Sequence, residues 1–240
     1  MSKIIDTEKE KEMSQNSKKK IIIGASIAAV VAMTFLAIVA VGMFRDFDAQ
    51  KYVRAILNQT FQGDVEETVT VIDAEEEELL KQYEEGIRAF VENNVTTGVE
   101  MDEEIKEKYV VLCKEIFASM KYEVKEAEKV SRKEYRVPVE YQTTDIFTKF
   151  TSALAAESAR LKDKANKGEY QGEDINLQMQ NEFLTNSYEL LKKAAGEAEY
   201  SEPETMVFVV KADENDLFAM EDGQIIEFIM KIMGLYEIQD

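Results

Sequence analysis

Apolar positions divide this chain into one uninterrupted run and a long patterned remainder. Residues 21 to 44, IIIGASIAAVVAMTFLAIVAVGMF, carry no charge and directly follow Lys18, Lys19 and Lys20. At about 1.5 Å of rise per residue, a helix of that length crosses a hydrocarbon core of about 30 Å. In lipid a helix satisfies its own backbone hydrogen bonds, so a spanning helix is the physical solution. The pattern therefore predicts a short cytoplasmic tail over 1–20, a single-pass transmembrane signal-anchor over 21–44 and an extracytoplasmic domain over 45–240.

Flanking charge orients the span. Lys3, Lys9, Lys11, Lys18, Lys19 and Lys20 precede it, whereas Arg45 follows it and soon meets Asp46 and Asp48. Cationic flanks stay on the cytoplasmic side, which puts the N-terminus inside and the domain outside the cell membrane. The run exceeds the roughly 7–15 apolar residues of a cleaved signal peptide. No cysteine follows it closely, which excludes a lipid-bearing anchor.

Beyond the span the period is helical. Tyr52, Val53, Ile56, Leu57 and Phe61 form the stripe of a helix over 48–61 that Gly63 ends. Asp64 with Glu67, and Asp73 with Glu76, have capping-box spacing and start two more helices, the second running to about Val95. A further helix spans Glu103 to Ala118, with Ile105, Tyr109, Leu112, Cys113 and Ile116 on its apolar face. The period then changes to two. Tyr122, Val124 and Val130, then Tyr135, Val137, Val139 and Tyr141, predict two antiparallel strands turning near Ser131-Arg132. Pro138 within the second requires an edge position or a bulge, since proline has no N–H to donate.

Two long helices over about 145–167 and 173–198 flank Gly168 and Gly172 and predict an αα-hairpin. The second carries Leu177, Leu184, Tyr188, Leu191 and Ala195 on its apolar face, with Phe183 beside them. The chain closes as strand, acidic turn, strand and helix. These are Met206 to Val210, Asp213 to Asp216, Leu217 to Met220, and a helix with Ile225, Ile226, Phe228, Ile229, Ile232 and Met233. Segregated runs of helix and strand predict an α+β domain with an antiparallel sheet of about four strands. A cystatin-like or NTF2-like curved sheet is the nearest named architecture.

Charge sharpens the domain's chemistry. The first 44 residues hold six lysines against four acids, leaving 23 basic and 44 acidic residues in the remainder, a net of −21. Such a surface repels nucleic acid. Histidine is absent, which removes Ser-His-Asp and Cys-His catalysis, HExxH sites and His-ligated zinc. Cys113 is the only cysteine, so no intrachain disulfide forms and the domain depends on packing. Its place on an apolar helix face marks it as a core thiol.

Other candidate chemistry has an ordinary structural explanation. The acidic run Glu75 to Glu78 sits at a helix N-terminus, where the dipole favours negative charge. Asp213-Glu214-Asn215-Asp216 lacks the spacing and distal glutamate of a calcium loop and reads as a hairpin turn. Tyr52, Phe61, Tyr83, Phe90, Tyr109 and Phe117 recur at helical spacing and read as core. No catalytic, cofactor-binding or metal-ligating residue is assigned, and no cofactor is implied.

The stretches FDAQKYVRAILNQTFQGDVEE, AEEEELLKQYEEGI and VVKADENDLFAMEDGQIIEFIMKIMGL carry a further signal. Tyr52-Val53 before Gly63-Asp64, then Val207 to Val210, Asp213 to Asp216, Phe218 and Ile225 to Leu235, resemble a broad group of proteins. These are uncharacterised surface lipoproteins and membrane-anchored proteins of Gram-positive, clostridial-type bacteria. Many carry a lipid-bearing cysteine that this chain lacks. The resemblance implies an extracytoplasmic α+β domain and transfers no catalytic residue.

The expectation is a membrane-anchored, non-enzymatic extracytoplasmic module that binds a protein, a peptide or a small ligand at the cell surface. The alternatives are a wall-directed hydrolase working through two carboxylates, and a divalent-cation-binding surface domain.

Overall fold

The structure, a computed structural model, describes residues 47–96, 101–171, 174–221 and 223–235. The apolar run over 21–44 and the tail before it lie outside the described residues. Among the described residues, no helix is long and apolar enough to cross a membrane.

Helix α1, Ala49–Gln62, starts where the Asp48 carboxylate accepts from the Lys51 N–H at 2.9 Å. It ends at Gly63, whose φ of +67° provides the left-handed turn that closes the last carbonyls. Both boundaries agree with the sequence pattern. Helix α1 is the centre of the domain. It packs against α2 (Glu66–Ile72), α3 (Glu76–Phe90), α4 (Glu103–Ala118) and strands β1 (Lys121–Val124) and β3 (Glu134–Gln142). Asp102 caps α4 by accepting from the Ile105 N–H at 2.9 Å.

The two expected capping boxes do not form. The Asp64 side chain accepts from the Glu66 N–H instead, and Glu67 turns away to a two-pronged ion pair with Arg54 of α1, 2.8 Å at each prong. A guanidinium fork matches a carboxylate better than one backbone N–H does, so the tertiary partner prevails. Asp73 takes a left-handed conformation, φ 54°, at the end of α2, and Glu75 stands at the start of α3 without a side-chain cap. A π-helical turn, Val91–Val95, extends α3 to its predicted end.

The sheet has the order β1-β3-β4-β5, all antiparallel, with β4 at Glu204–Ala212 and β5 at Phe218–Met220. The first expected strand is divided. Strand β2, Glu128–Ser131, pairs with the same edge of β3 as β1 does, so five strands occupy four positions. Pro138 explains the division. Val124 lies opposite Val139 and Glu128 opposite Arg136, which leaves 125–127 against two residues of β3, one of them Pro138. The Pro138 carbonyl still accepts from the Lys125 N–H at 2.8 Å. The missing proline donor faces the same side, and the extra residue relieves the partner strand of an acceptor it would otherwise leave unpaired. Proline thus sits in a central strand, with the bulge on its neighbour.

One face of the sheet forms the core. Val137, Val139 and Tyr141 of β3 alternate inward beside Met206, Phe208 and Val210 of β4. Helix α7, Gln224–Ile232, covers them with Phe228, Ile229 and Ile232. The Phe228 ring meets four others, those of Phe61, Tyr122, Tyr141 and Phe208, mostly edge to face at 5.3–6.3 Å. Gln224 finishes the short β5 edge. Its side-chain amide accepts from the Val209 N–H at 2.7 Å and donates to the Val209 carbonyl at 3.0 Å.

Helices α5, Ile146–Asn166, and α6, Ile175–Gly196, form the expected αα-hairpin between β3 and β4. Its root is tied to the sheet by a Thr144–Tyr200 bridge, and the Glu199 N–H donates to Asp145 at 2.9 Å.

Candidate functional site

The residues that the sequence singled out are mostly structural. Tyr52, Phe61, Tyr83, Phe90, Tyr109 and Phe117 are all buried in one continuous core. Cys113 is fully buried in the same core, and burial pushes its thiol well above the usual range. A thiol held protonated is a poor nucleophile and a poor metal ligand. Glu76, Glu77 and Glu78 occupy the exposed first turn of α3, as the helix dipole favours.

The Asp213–Asp216 segment is a hairpin turn organised by its own first residue. Asp213 Oδ1 accepts from the N–H groups of Asn215 at 2.7 Å and Leu217 at 2.9 Å. The Leu217 N–H bond first, and then the Asn215 bonds, hold its carboxyl below the ordinary carboxylate range. Lys133 adds a charge partner, 2.8 Å from Asp216. Among the described residues, no group of three or more Cys, Asp or Glu side chains is placed to hold a metal ion.

Four other carboxylates are held in the same direction. Glu67, Asp145, Glu157 and Glu182 all lie below their ordinary values, held there by Arg or Lys partners or backbone N–H groups. A glycosidase general acid needs the opposite, a carboxyl raised toward neutrality by burial or a like charge.

The arrangement with the most exposed chemistry is the outer half of the αα-hairpin. Among the described residues, none between 155 and 187 belongs to the main core. Leu161, Tyr170 and Phe183 form a small separate cluster, lined by Leu154, Ala165 and Met179. An ion-pair ladder joins the two helices beside it. Glu157 pairs with Arg160 at 2.7 Å, Arg160 with Glu182 at 2.6 Å, and Lys164 with Glu182 at 2.6 Å. Tyr170 donates to Glu182 at 2.9 Å and Asn186 to Glu157 at 2.7 Å. Lys164 and then Arg160 pull the Glu182 carboxyl down to about 2. The hairpin touches the main body where the Tyr109 hydroxyl donates to the Leu184 carbonyl at 2.8 Å and the Tyr109 ring meets Tyr188 edge-on.

Leu177 departs from expectation. Its seven-residue spacing to Leu184 and Leu191 marks it as buried, yet it is 52% exposed, with Ile175 at 41%. The buried face of α6 is made by Phe183, Leu184, Ser187, Leu191 and Ala194, and Tyr170 of the connection closes the outer cluster. Ile175 and Leu177 therefore stand as exposed apolar side chains on the first turns of α6, at the outer end of a braced arm. Sequence periodicity missed this because it cannot show where the facing helix ends. Ile175 lies off the periodic stripe, and that was the one available signal.

Comparison with known proteins supports the fold. No protein-family model matches the chain, and no curated protein matches it. A crystal structure from Bacillus subtilis subsp. subtilis str. 168, described as a "putative lipoprotein (ycdA)", is similar with a TM-score of 0.50 at 13% identity. The likeness covers 78% of this chain and 56% of that one, so the chain spans just over half of its structural neighbour. At that identity the likeness is one of fold, an α+β arrangement of helices on an antiparallel sheet.

Proposed function

We propose that this chain is a membrane-anchored, extracytoplasmic, non-enzymatic interaction module, and that the outer half of its αα-hairpin contacts a protein partner with a basic face. The observation that carries the proposal is the exposure of Ile175 and Leu177 at the start of a helix that the Glu157–Arg160–Glu182–Lys164 ladder joins to its neighbour. Exposed aliphatic anchors on a preformed element lower the ordering cost of binding. The net of −21 on the region after the apolar run favours a partner of opposite charge.

The address rests on sequence. The charge-free run over 21–44 and its six preceding lysines support a single-pass anchor with the N-terminus in the cytoplasm. The lipoprotein description of the structural neighbour agrees with a place at a cell surface. The lowered carboxyls support the non-enzymatic reading. The register shifts around 125–127 and between Lys129 and Ser131 support a cystatin-like or NTF2-like curvature, since bulges bend the strands that carry them.

The test is purification of the full chain from its own membranes. A stoichiometric partner is expected with the native sequence and is lost with Ile175→Glu/Leu177→Glu, whose thermal melt is unchanged. A partner retained by that variant would remove the hairpin from the proposal.

A further inference from the structure

Phe47 is the first described residue, and its ring is fixed on three sides. It stacks on Phe218 at 4.3 Å with the planes 6° apart, meets Tyr135 edge-on at 5.6 Å and leans on Tyr52 at 5.7 Å. Tyr135 and Phe218 mark one particular end of the sheet, where the β2–β3 and β4–β5 turns lie. Gln142, Glu204 and the root of the αα-hairpin lie at the other end. The nine residues of β3 separate the two ends by about 27 Å at roughly 3.3 Å per residue.

Only Arg45 and Asp46 stand between Phe47 and the apolar run ending at Phe44. Three Cα steps reach at most about 11 Å. The headgroup zone extends about 5–8 Å beyond the hydrocarbon core on each side. If the run spans the membrane, the Phe47 end of the sheet stands within a few ångströms of the headgroups.

The β2–β3 hairpin at this end differs in charge from the domain around it. Between 128 and 136, Lys129, Arg132, Lys133 and Arg136 outnumber Glu128 and Glu134, and with Lys133 paired to Asp216 of the neighbouring turn and Arg136 to Glu134 the exposed cations that remain are Lys129 and Arg132. Every residue of β2 is exposed, including Val130 at 46%, and Arg132 at the turn is exposed too. Lys129 lies over the Tyr135 ring, 5.2 Å from its centre, which links the hairpin to the aromatic group holding Phe47.

We infer that the β2–β3 hairpin rests on the outer lipid surface, with Lys129 and Arg132 meeting headgroup phosphates and Val130 lying at the interface. The inference rests on the anchor reading of residues 21–44. It gives the domain a fixed footing on the β2–β3 hairpin, with the root of the αα-hairpin about one strand length above it. Cationic side chains within a Debye length of phosphate-bearing lipid are attracted, whereas the acidic Asp213–Asp216 turn at the same end of the sheet is repelled, so the contact falls on the hairpin itself.

The experiment uses the full chain reconstituted into phosphatidylcholine vesicles containing phosphatidylglycerol. An environment-sensitive fluorophore is attached at Ser131→Cys in the β2–β3 turn or at exposed Glu202→Cys beside Glu204 at the opposite end of the sheet, with fully buried Cys113 left unlabelled. Headgroup-nitroxide lipids are expected to quench the label at 131 at least threefold more than the label at 202. Arg132→Glu is expected to reduce quenching at 131 by about half. Equal quenching at both sites in protein that floats with the vesicles would overturn the footing alone, as would Arg132→Glu leaving it unchanged. Protein that fails to float would overturn the anchor, and the footing with it.

Discussion

Phe228→Ala is the sharpest probe of how this fold is held. The side chain is fully buried and contacts rings from α1, β1, β3 and β4, so one residue joins both layers of the domain. Removing a buried phenylalanine costs about 3–5 kcal/mol through lost transfer energy and the cavity left behind. Edge-to-face partners add about 0.5–1.5 kcal/mol each when well placed, which puts the expected loss at the upper end, about 4–5 kcal/mol. For a domain of this size each kcal/mol lowers the melting temperature by about 2–4 °C, so a drop of roughly 8–20 °C follows. Urea and thermal unfolding of the full chain, followed by circular dichroism, measure it directly. Phe228→Leu keeps most of the volume and is expected to lose only about 1.5 kcal/mol. Val207→Ala on the outer sheet face, 44% exposed, serves as the control at under about 0.5 kcal/mol. A loss below about 1.5 kcal/mol for Phe228→Ala would refute the claim that α7 and the sheet are joined through this ring.

Four further outcomes follow. Gly63→Ala forces a Cβ within 2.6 Å of the Tyr83 ring at a φ of +67°, and is expected to destabilise the domain by about 1–3 kcal/mol in urea; a neutral result would contradict the packing of α1 on α3. Glu182 has a folded pKa of about 2, below its ordinary value near 4.5, so its contribution is complete above about pH 4.5 and is lost as pH falls toward 2. Amide-exchange protection factors in the outer hairpin should therefore fall across that window, and Glu182→Gln, at a cost of about 1 kcal/mol, should weaken the dependence, with Glu157 supplying the remainder. Cys113 is expected to resist thiol reagents in the native state and to react fully in urea; rapid native labelling would contradict its burial. Calcium titration should leave the melting temperature unchanged, because Asp213 and Asp216 are engaged by the turn's N–H groups and Lys133, and a rise of several degrees would reinstate the cation-binding alternative.

Elements whose signals are local were legible in the sequence. The stripe of α1, its Gly63 stop, the span of α4 and the αα-hairpin needed only periodicity and caps, and the structure places them as expected. Features decided by tertiary partners were not. Arg54 takes Glu67 away from its capping role, and Pro138 divides the opposing strand instead of its own. Leu177 follows a buried spacing yet is exposed, because burial depends on what faces a helix and not on its period alone. The candidate interface was hidden for the same reason. The ladder through Glu182 joins residues 18 and 22 positions apart on two helices, a spacing with no motif to show it.

The most direct test of the interaction reading is site-specific photo-cross-linking in the intact envelope. A photoreactive residue placed at Leu177 is expected to give a discrete adduct with one partner, and the same residue at Val207 is expected to give none. The Leu177 adduct should disappear when Ile175→Glu is added. Adducts of equal yield at both positions, or none at Leu177 while the protein remains folded in the membrane, would contradict the hairpin as the contact surface.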